Sequence, residues 1–420
     1  RKSCKNSRLE SEPSMLICAG TLVESPGRIH RPGHLRMERG GITEIGSSLS
    51  PLAGEEVIHL PEITLAPGWV NLHAHLELAS LSNAFPPGND FPIWLKQILA
   101  RLPGLTPEVR RQSIRLASQE ALKSGTTSVV SITSDLPALA GLTRTACRVW
   151  WALEFMDLQS RPDVAATVER AMAWLSRNPA NAWHLALSPH APYTASPKLY
   201  REIMDSSRIH KLPFTTHLAE SPEETSLLAG KKTSFWDILP GDLQRDDFGK
   251  SKSPVEWCRE NHALPDGAMV AHGNELVPSD LPYLKEHRVT VVHCPAAHDW
   301  FGRKAFPFDL LREYGVPVCI GTDSPASSPN SRLDLRTEIR LFCEKHPQVS
   351  LHEAWQMITT TPARALGYES KLGTLQRGCW ADWVGWRIPA SPDPIAAILQ
   401  GKDPAEISCV GGKITMHETI

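Results

Sequence analysis

Between about residues 66 and 325 the chain alternates short apolar runs of strand length with longer stretches of helical period, the pattern of β-α units feeding a parallel sheet. Eight runs stand out: 69–75 "WVNLHAH", 126–133 "TTSVVSIT", 146–155 "ACRVWWALEF", 182–190 "AWHLALSPH", 213–220 "PFTTHLAE", 268–273 "AMVAHG", 290–295 "TVVHCP" and 317–323 "PVCIGTD". Eight such units close a barrel, so the spacing predicts an α/β chain with a (β/α)8 TIM barrel. The connecting stretch 106–125, "TPEVRRQSIRLASQEALKSG", reads as a helix with Thr106 as N-cap, Pro107 in the first turn and Gly125 just past the end.

Outside that span the period changes. Short alternating runs at 15–65 ("LRMERGGITEIG") and 368–420 ("LGTLQRGCWADWVGW", "EISCVGGKITM") predict a small β-sandwich domain formed by both chain termini, leaving 66–367 for the barrel. Residues 1–14 are polar and patternless and are expected to form a disordered tail, with Met15 as an alternative start. The longest connection, "KKTSFWDILPGDLQRDDFGKSKSP", is either a solvated excursion or part of a substrate-covering loop.

Composition removes several classes of function. With 44 basic against 46 acidic residues there is no field to attract nucleic acid or an anionic membrane, so the expected partner is a small-molecule substrate. Nine scattered cysteines, odd in number and without a C-x-x-C pair, predict neither a disulfide framework nor a thiolate metal site. With no spanning apolar run and no signal-type N-terminus, the expectation is a cytoplasmic protein. A homo-oligomer such as a dimer is compatible with the chain, but spacing does not fix it.

The chemistry sits where the apolar runs end. In "NLHAHLE" two imidazoles stand one residue apart, and alternate strand positions share a face, so His73 and His75 project together toward the mouth where barrel enzymes work. One H-x-H among 17 histidines is easily coincidence. Position changes the weight: His190, His217, His272, His293 and Asp323 close the fourth to eighth runs, and buried groups of this kind need a common partner. Imidazoles plus a carboxylate suit one divalent transition metal ion, zinc first, with iron or manganese as alternatives. The expected ligands are His73, His75, His217 and Asp323. Such an ion makes water a nucleophile near neutral pH.

A proton carrier is also required. Glu220 follows His217 by three residues, which in a regular strand would face away, so the chain must turn just after His217 for Glu220 to serve. His272 is placed to assist at the attacking water or the tetrahedral centre, and His190, before a proline turn, to face substrate. His293 and Cys294 read as core residues.

The strings "APGWVNLHAHLE", "LSPHAPYT", "THLAES", "VAHG", "VVHCP" and "GTDSPAS" resemble the amidohydrolase superfamily, in particular the branch holding cytosine deaminase, the S-adenosylhomocysteine and aminodeoxyfutalosine deaminases and the triazine chlorohydrolases. The segment "NLHAHLELASLSNAFPPGNDFPIWLKQIL" looks most like aminodeoxyfutalosine deaminase-like proteins. The resemblance covers roughly residues 15–400 and implies a barrel, a terminal β-sandwich, and one metal on the positions named above. It also implies proton transfer by Glu220, assistance by His272 and substrate contact by His190. Relatives with two metals bridge them by a strand-four lysine; "HLALSPHAP" has none, which favours one ion. One departure is Ala296-Ala297 in "HCPAAHDWFG", where relatives carry Arg-Ser or Arg-Thr. His298 and Trp94 are further candidate pocket residues.

The expected activity is metal-dependent hydrolysis with Glu220, His272 and Asp323 as catalytic groups: deamination of an amino-substituted purine nucleoside or related heterocycle. The rivals are hydrolysis of a cyclic amide, a chlorotriazine or an N-formimino compound at the same site, and, more distantly, a non-catalytic barrel binding protein.

Overall fold

The computed structural model describes residues 14–86, 90–239, 245–328, 333–389 and 391–417. All eight apolar runs are strands, lying in two four-stranded parallel sheets. The first holds Trp69–Ala74, Thr126–Thr133, Arg148–Phe155 and Trp183–Pro189 in that order; the second holds Thr215–Leu218, Met269–His272, Thr290–His293 and Val318–Ile320. Single parallel bridges join the two sheets at both seams, Leu187 to Phe214 and Ala74 to Asp323. The second strand is buried at every position, as expected of a parallel strand covered on both faces.

Side-chain alternation divides the core. Val70, Leu72, Val130, Ile132, Trp150 and Ala152 form one cluster with residues of the second sheet. Their neighbours Trp69, Val129 and Trp151 belong to a larger cluster that includes the helices. The helix Pro107–Ser124 begins and ends where its capping residues predict. Thr106 accepts a hydrogen bond from the Val109 amide, and Gly125 takes φ +116° beneath Trp386 and Trp69, where a Cβ would lie 2.7 and 2.9 Å from the two rings.

Both chain ends meet in one hydrogen-bonded sheet of eight strands, with Glu56–Pro67 pairing Met15–Ser25 on one side and Trp383–Arg387 on the other. It has its own core, including Ile17, Leu35, Leu65, Ala381 and Trp383. Of the expected tail, residues 1–13 lie outside the described residues, whereas Ser14 hydrogen-bonds Glu55. No helix among the described residues is long and apolar enough to cross a membrane.

Candidate metal centre

The first barrel strand stops at Ala74 rather than His75. Between Asn71 and Ala74 it spends three steps against two on its neighbour (Val129 to Ser131), a bulge of the kind that re-aims side chains. His75 then opens a 3-10 turn, and the two rings stand edge to face at 5.1 Å. Asn71 braces the bend, accepting from the His73 amide and donating to Thr322 at the foot of the eighth strand end. Gly321 lets those ends approach: a Cβ there would lie 3.1 Å from that of His73.

The four expected ligands come together. The Nε2 atoms of His73 and His75 lie 3.6 and 3.5 Å from Asp323 Oδ1, and the His217 ring is 4.8 Å from that of His73 and 5.6 Å from that of His75. Two triads that could hold an ion share His73: His73, His75 and Asp323, and His73, His217 and His272. Both His73 nitrogens are buried without a hydrogen-bond partner, a costly state for an imidazole that a metal ion would relieve. His217 Nδ1 donates to the His190 carbonyl at 2.9 Å, which leaves its Nε2 lone pair available.

The protonation states suit a cation. Burial, then the neighbouring His73, pushes His75 down to about 4. Burial also takes His272 to about 3 and His217 well below the ordinary range, so these rings are neutral donors at physiological pH. Asp323 behaves oppositely: burial alone would raise its carboxyl, but the facing His73, His272 and His75 outweigh it and hold the group below the usual carboxylate range. Its Oδ2 accepts from Ser327 at 3.1 Å. The neutral imidazoles, the ionised carboxylate and the orphaned His73 nitrogens together fit a divalent transition ion.

The turn required after His217 is present. The strand ends at Leu218, Ala219 takes φ +54°, and Glu220 swings back to place Oε1 3.8 Å from His272 Nε2. His272 and Asp323 also have positive φ, at +75° and +54°, so three non-glycine residues bear backbone strain at strand ends of the second sheet. Burial pushes the Glu220 carboxyl up to about 8. Its backbone is gripped on both sides, the amide by Glu224 and the carbonyl by Asn274, whose Oδ1 pairs with His298 Nδ1 at 3.0 Å. His298 therefore reaches Glu220 through Asn274.

His190 sits beside His217, ring to ring at 4.8 Å, with Nδ1 paired to Thr194. Trp94 packs on Phe91 and Phe301 and donates to the Ala326 carbonyl just beyond Asp323. His293 stacks on Phe306 at 3.8 Å and joins none of the candidate metal groups; it is buried as a core residue is, but its Nδ1 has no hydrogen-bond partner, so it is not the satisfied core histidine expected. Beside it, burial raises the Cys294 thiol well above its ordinary range, which leaves it inert. The long excursion carries Phe235 against Tyr193 and Phe91, next to His190. Sequence reasoning passed over Glu154, which closes the run "WWALEF" just as the other candidates close theirs. Its carboxyl, pushed up to about 8 by burial and then by Glu77, groups with His190 and His217, and one oxygen is buried without a partner.

A family model, the amidohydrolase family, matches residues 64–411. The chain belongs to the amidohydrolase family. A curated relative from Thermococcus onnurineus named 5-methylthioadenosine/S-adenosylhomocysteine deaminase is 28% identical over 383 residues, 88% of this chain and 84% of its own. Among solved structures, an adenosine deaminase from Xanthomonas campestris with bound zinc superposes with TM-score 0.80 at 20% identity, covering 96% of this chain and 93% of its own. The Helicobacter pylori aminofutalosine deaminase in complex with methylthio-coformycin also superposes with TM-score 0.80, at 21% identity, covering 96% of this chain and 100% of its own. At that identity the two structures establish the amidohydrolase fold, whose architecture is a (β/α)8 barrel.

Proposed function

We propose that this amidohydrolase is a metal-dependent deaminase that exchanges the amino group of an amino-substituted purine nucleoside, or a related heterocycle, for oxygen and releases ammonia. The observation that carries the reading is the convergence on His73: two orphaned imidazole nitrogens amid His75, His217, His272 and Asp323, with Glu220 at hand. The deaminase named among the relatives supports the choice of leaving group. The same reading takes the two bridged sheets as one closed barrel and the terminal sheet as folded into a two-layer sandwich, with domain limits near 15–65, 66–367 and 368–420.

His73, His75, His217 and Asp323 would hold one ion, zinc in first place. Such an ion supplies the Lewis acidity that makes water a nucleophile near neutral pH. Asp323, kept ionised, accepts one proton of the attacking water. Glu220, protonated below about 8, donates to the ring nitrogen as water oxygen bonds to the amine-bearing carbon. The proton on Asp323 then passes to the amine, the carbon–nitrogen bond breaks, ammonia leaves, and the remaining hydroxyl proton returns to Glu220. His272, 3.8 Å from Glu220, lies where it can hydrogen-bond the incoming oxygen, and His190 faces the substrate.

The test is ammonia release from a panel of aminated purine nucleosides, pyrimidines and triazines by zinc-loaded protein, with Glu220→Gln alongside. Ammonia from at least one nucleoside is expected, with the variant slower by about 10²–10⁴-fold at unchanged metal content. Chloride or carboxylate as the released product would overturn deamination. Full activity in the variant would remove Glu220 from proton transfer.

A further inference from the structure

The mouth holds a cation that the mechanism above does not use. Arg303, in the turn after the helix Pro295–Trp300, makes no ion pair among the described residues, and its Nε and Nη2 are buried without a hydrogen-bond partner. Its guanidinium lies over the rings of Phe91 at 4.9 Å and Phe301 at 5.2 Å. Cation–π contact offsets only part of the cost of desolvating a charge. Something else must complete the site.

The empty pair of donors is a specific one. Nε and Nη2 form one edge of the guanidinium plane, and elsewhere in this chain that same edge holds carboxylates: Arg148 grips Asp382 at 2.7 and 3.0 Å, and Arg245 grips Asp247 at 3.0 and 2.7 Å. Arg336 also leaves this edge without a partner, but its Nη1 is tied to the carbonyls of Gly401 and Asp403 and it lies over Trp69, at the far end of the first barrel strand. Arg303 has no such tether.

Arg303 is also connected to the reacting centre. A run of ring contacts leads from His190 to Tyr193 at 5.7 Å, Phe235 at 4.8 Å and Phe91 at 6.2 Å, and so to the guanidinium. By the other route, its amide bonds the carbonyl of His298, which leads through Asn274 to Glu220. Its charge acts on Glu220 and His272, favouring the ionised carboxylate of the first and the neutral ring of the second. The adjacent Lys304 is already paired with Glu275 at 2.8 Å, so the edge matches the single charge of a carboxylate better than a phosphate dianion.

We propose that Arg303 is the specificity-determining residue of this enzyme, its Nε–Nη2 edge receiving a carboxylate that the substrate carries away from the reacting amine, against the Phe91–Phe301 wall. The substrate class is thereby narrowed to aminated heterocycles with an anionic carboxylate arm. The inference rests on the deaminase reading only in naming which end reacts.

Two isosteric probes test it: adenosine with its 5′-oxygen replaced by a carboxyethylthio group, and the neutral carbamoylethylthio analogue. Zinc-loaded wild type is expected to favour the carboxylate by about 10–100-fold in kcat/KM. The same preference is expected in calorimetric Kd values for the corresponding inosines, which have no amine to lose. Arg303→Gln should reduce the preference to within about 3-fold, read as the ratio between the two probes so that any effect of the lost charge on Glu220 cancels, and Arg303→Lys, which keeps a charge but not the fork, should retain part of it. No preference in wild type, an unchanged preference in Arg303→Gln or Arg303→Lys, or an equal fall for both probes would overturn the assignment. If neither adenosine is deaminated, the deaminase reading fails for this class and the inosine Kd values still decide the role of Arg303.

Discussion

The barrel mouth and the seam between barrel and terminal sheet both bury charged side chains, and they treat them differently. At the seam, Arg148 and Asp382 meet edge to edge, Asp382 accepts in addition from the Gly411 amide, and the guanidinium lies 3.7 Å over Trp380. At the mouth, His73 has two buried nitrogens with no partner, Glu220 is pushed up to about 8, and Arg303 presents an empty edge. Polar groups that complete one another are architecture. Groups that remain incomplete while crowding a common point are waiting for a ligand.

The most severe way to break the comparison is to remove His73, the residue shared by two of the three candidate triads. His73→Ala is expected to empty the site and abolish ammonia release, while wild type carries about one divalent ion per chain. Elemental analysis reads this directly. Unchanged metal in the variant would dismiss His73 as a ligand, and two ions in wild type would overturn the mononuclear reading.

The seam should fail in the opposite way. Asp382→Ala leaves the Arg148 guanidinium buried and unpaired, and is expected to lower unfolding free energy by about 3–5 kcal/mol with metal content and turnover per folded molecule unchanged. Denaturant midpoints with metal analysis on the folded fraction check both halves. Lost metal at retained stability would mean that the seam serves the site and that the contrast is false.

The legible parts of this molecule are those dictated by local pattern. Strand period and helix caps show in the local order of residues alone, so the eight runs and the helix Pro107–Ser124 could be placed, and residues closing apolar runs could be nominated as a group. The turn after His217 was demanded by chemistry, and the left-handed Ala219 supplies it. What stayed hidden depends on distant partners. The bulge at His73 arises only from pairing with the second strand, and the role of His298 only from Asn274 across a loop. Arg303 gives no local signal, since its meaning lies in what it fails to touch. Glu154 could have been found by the rule already applied to its neighbours.

The mildest test sets two buried carboxyls against each other by pH. Glu55, beside the terminal sheet, is the counterpart of Glu220: it accepts from Arg36 Nε at 2.7 Å, Ser14 Oγ at 2.5 Å and the Leu52 amide at 2.9 Å. Burial opposes ionisation there, but these donors outweigh it and bring the carboxyl down to about 2. A group depressed on folding binds its proton less readily in the folded than in the unfolded chain, so its stabilisation is complete above the unfolded value of about 4.5 and fades as pH falls toward about 2. The thermal advantage of wild type over Glu55→Gln should therefore be full above pH 4.5 and shrink through that window. Glu220, raised rather than lowered, should instead show its ionisation in activity near pH 8, where the proton it donates is lost. An advantage of wild type over Glu55→Gln that stays constant down to pH 2 would mean that the donors around Glu55 do not favour its charge, and that this carboxyl is not the satisfied counterpart of Glu220.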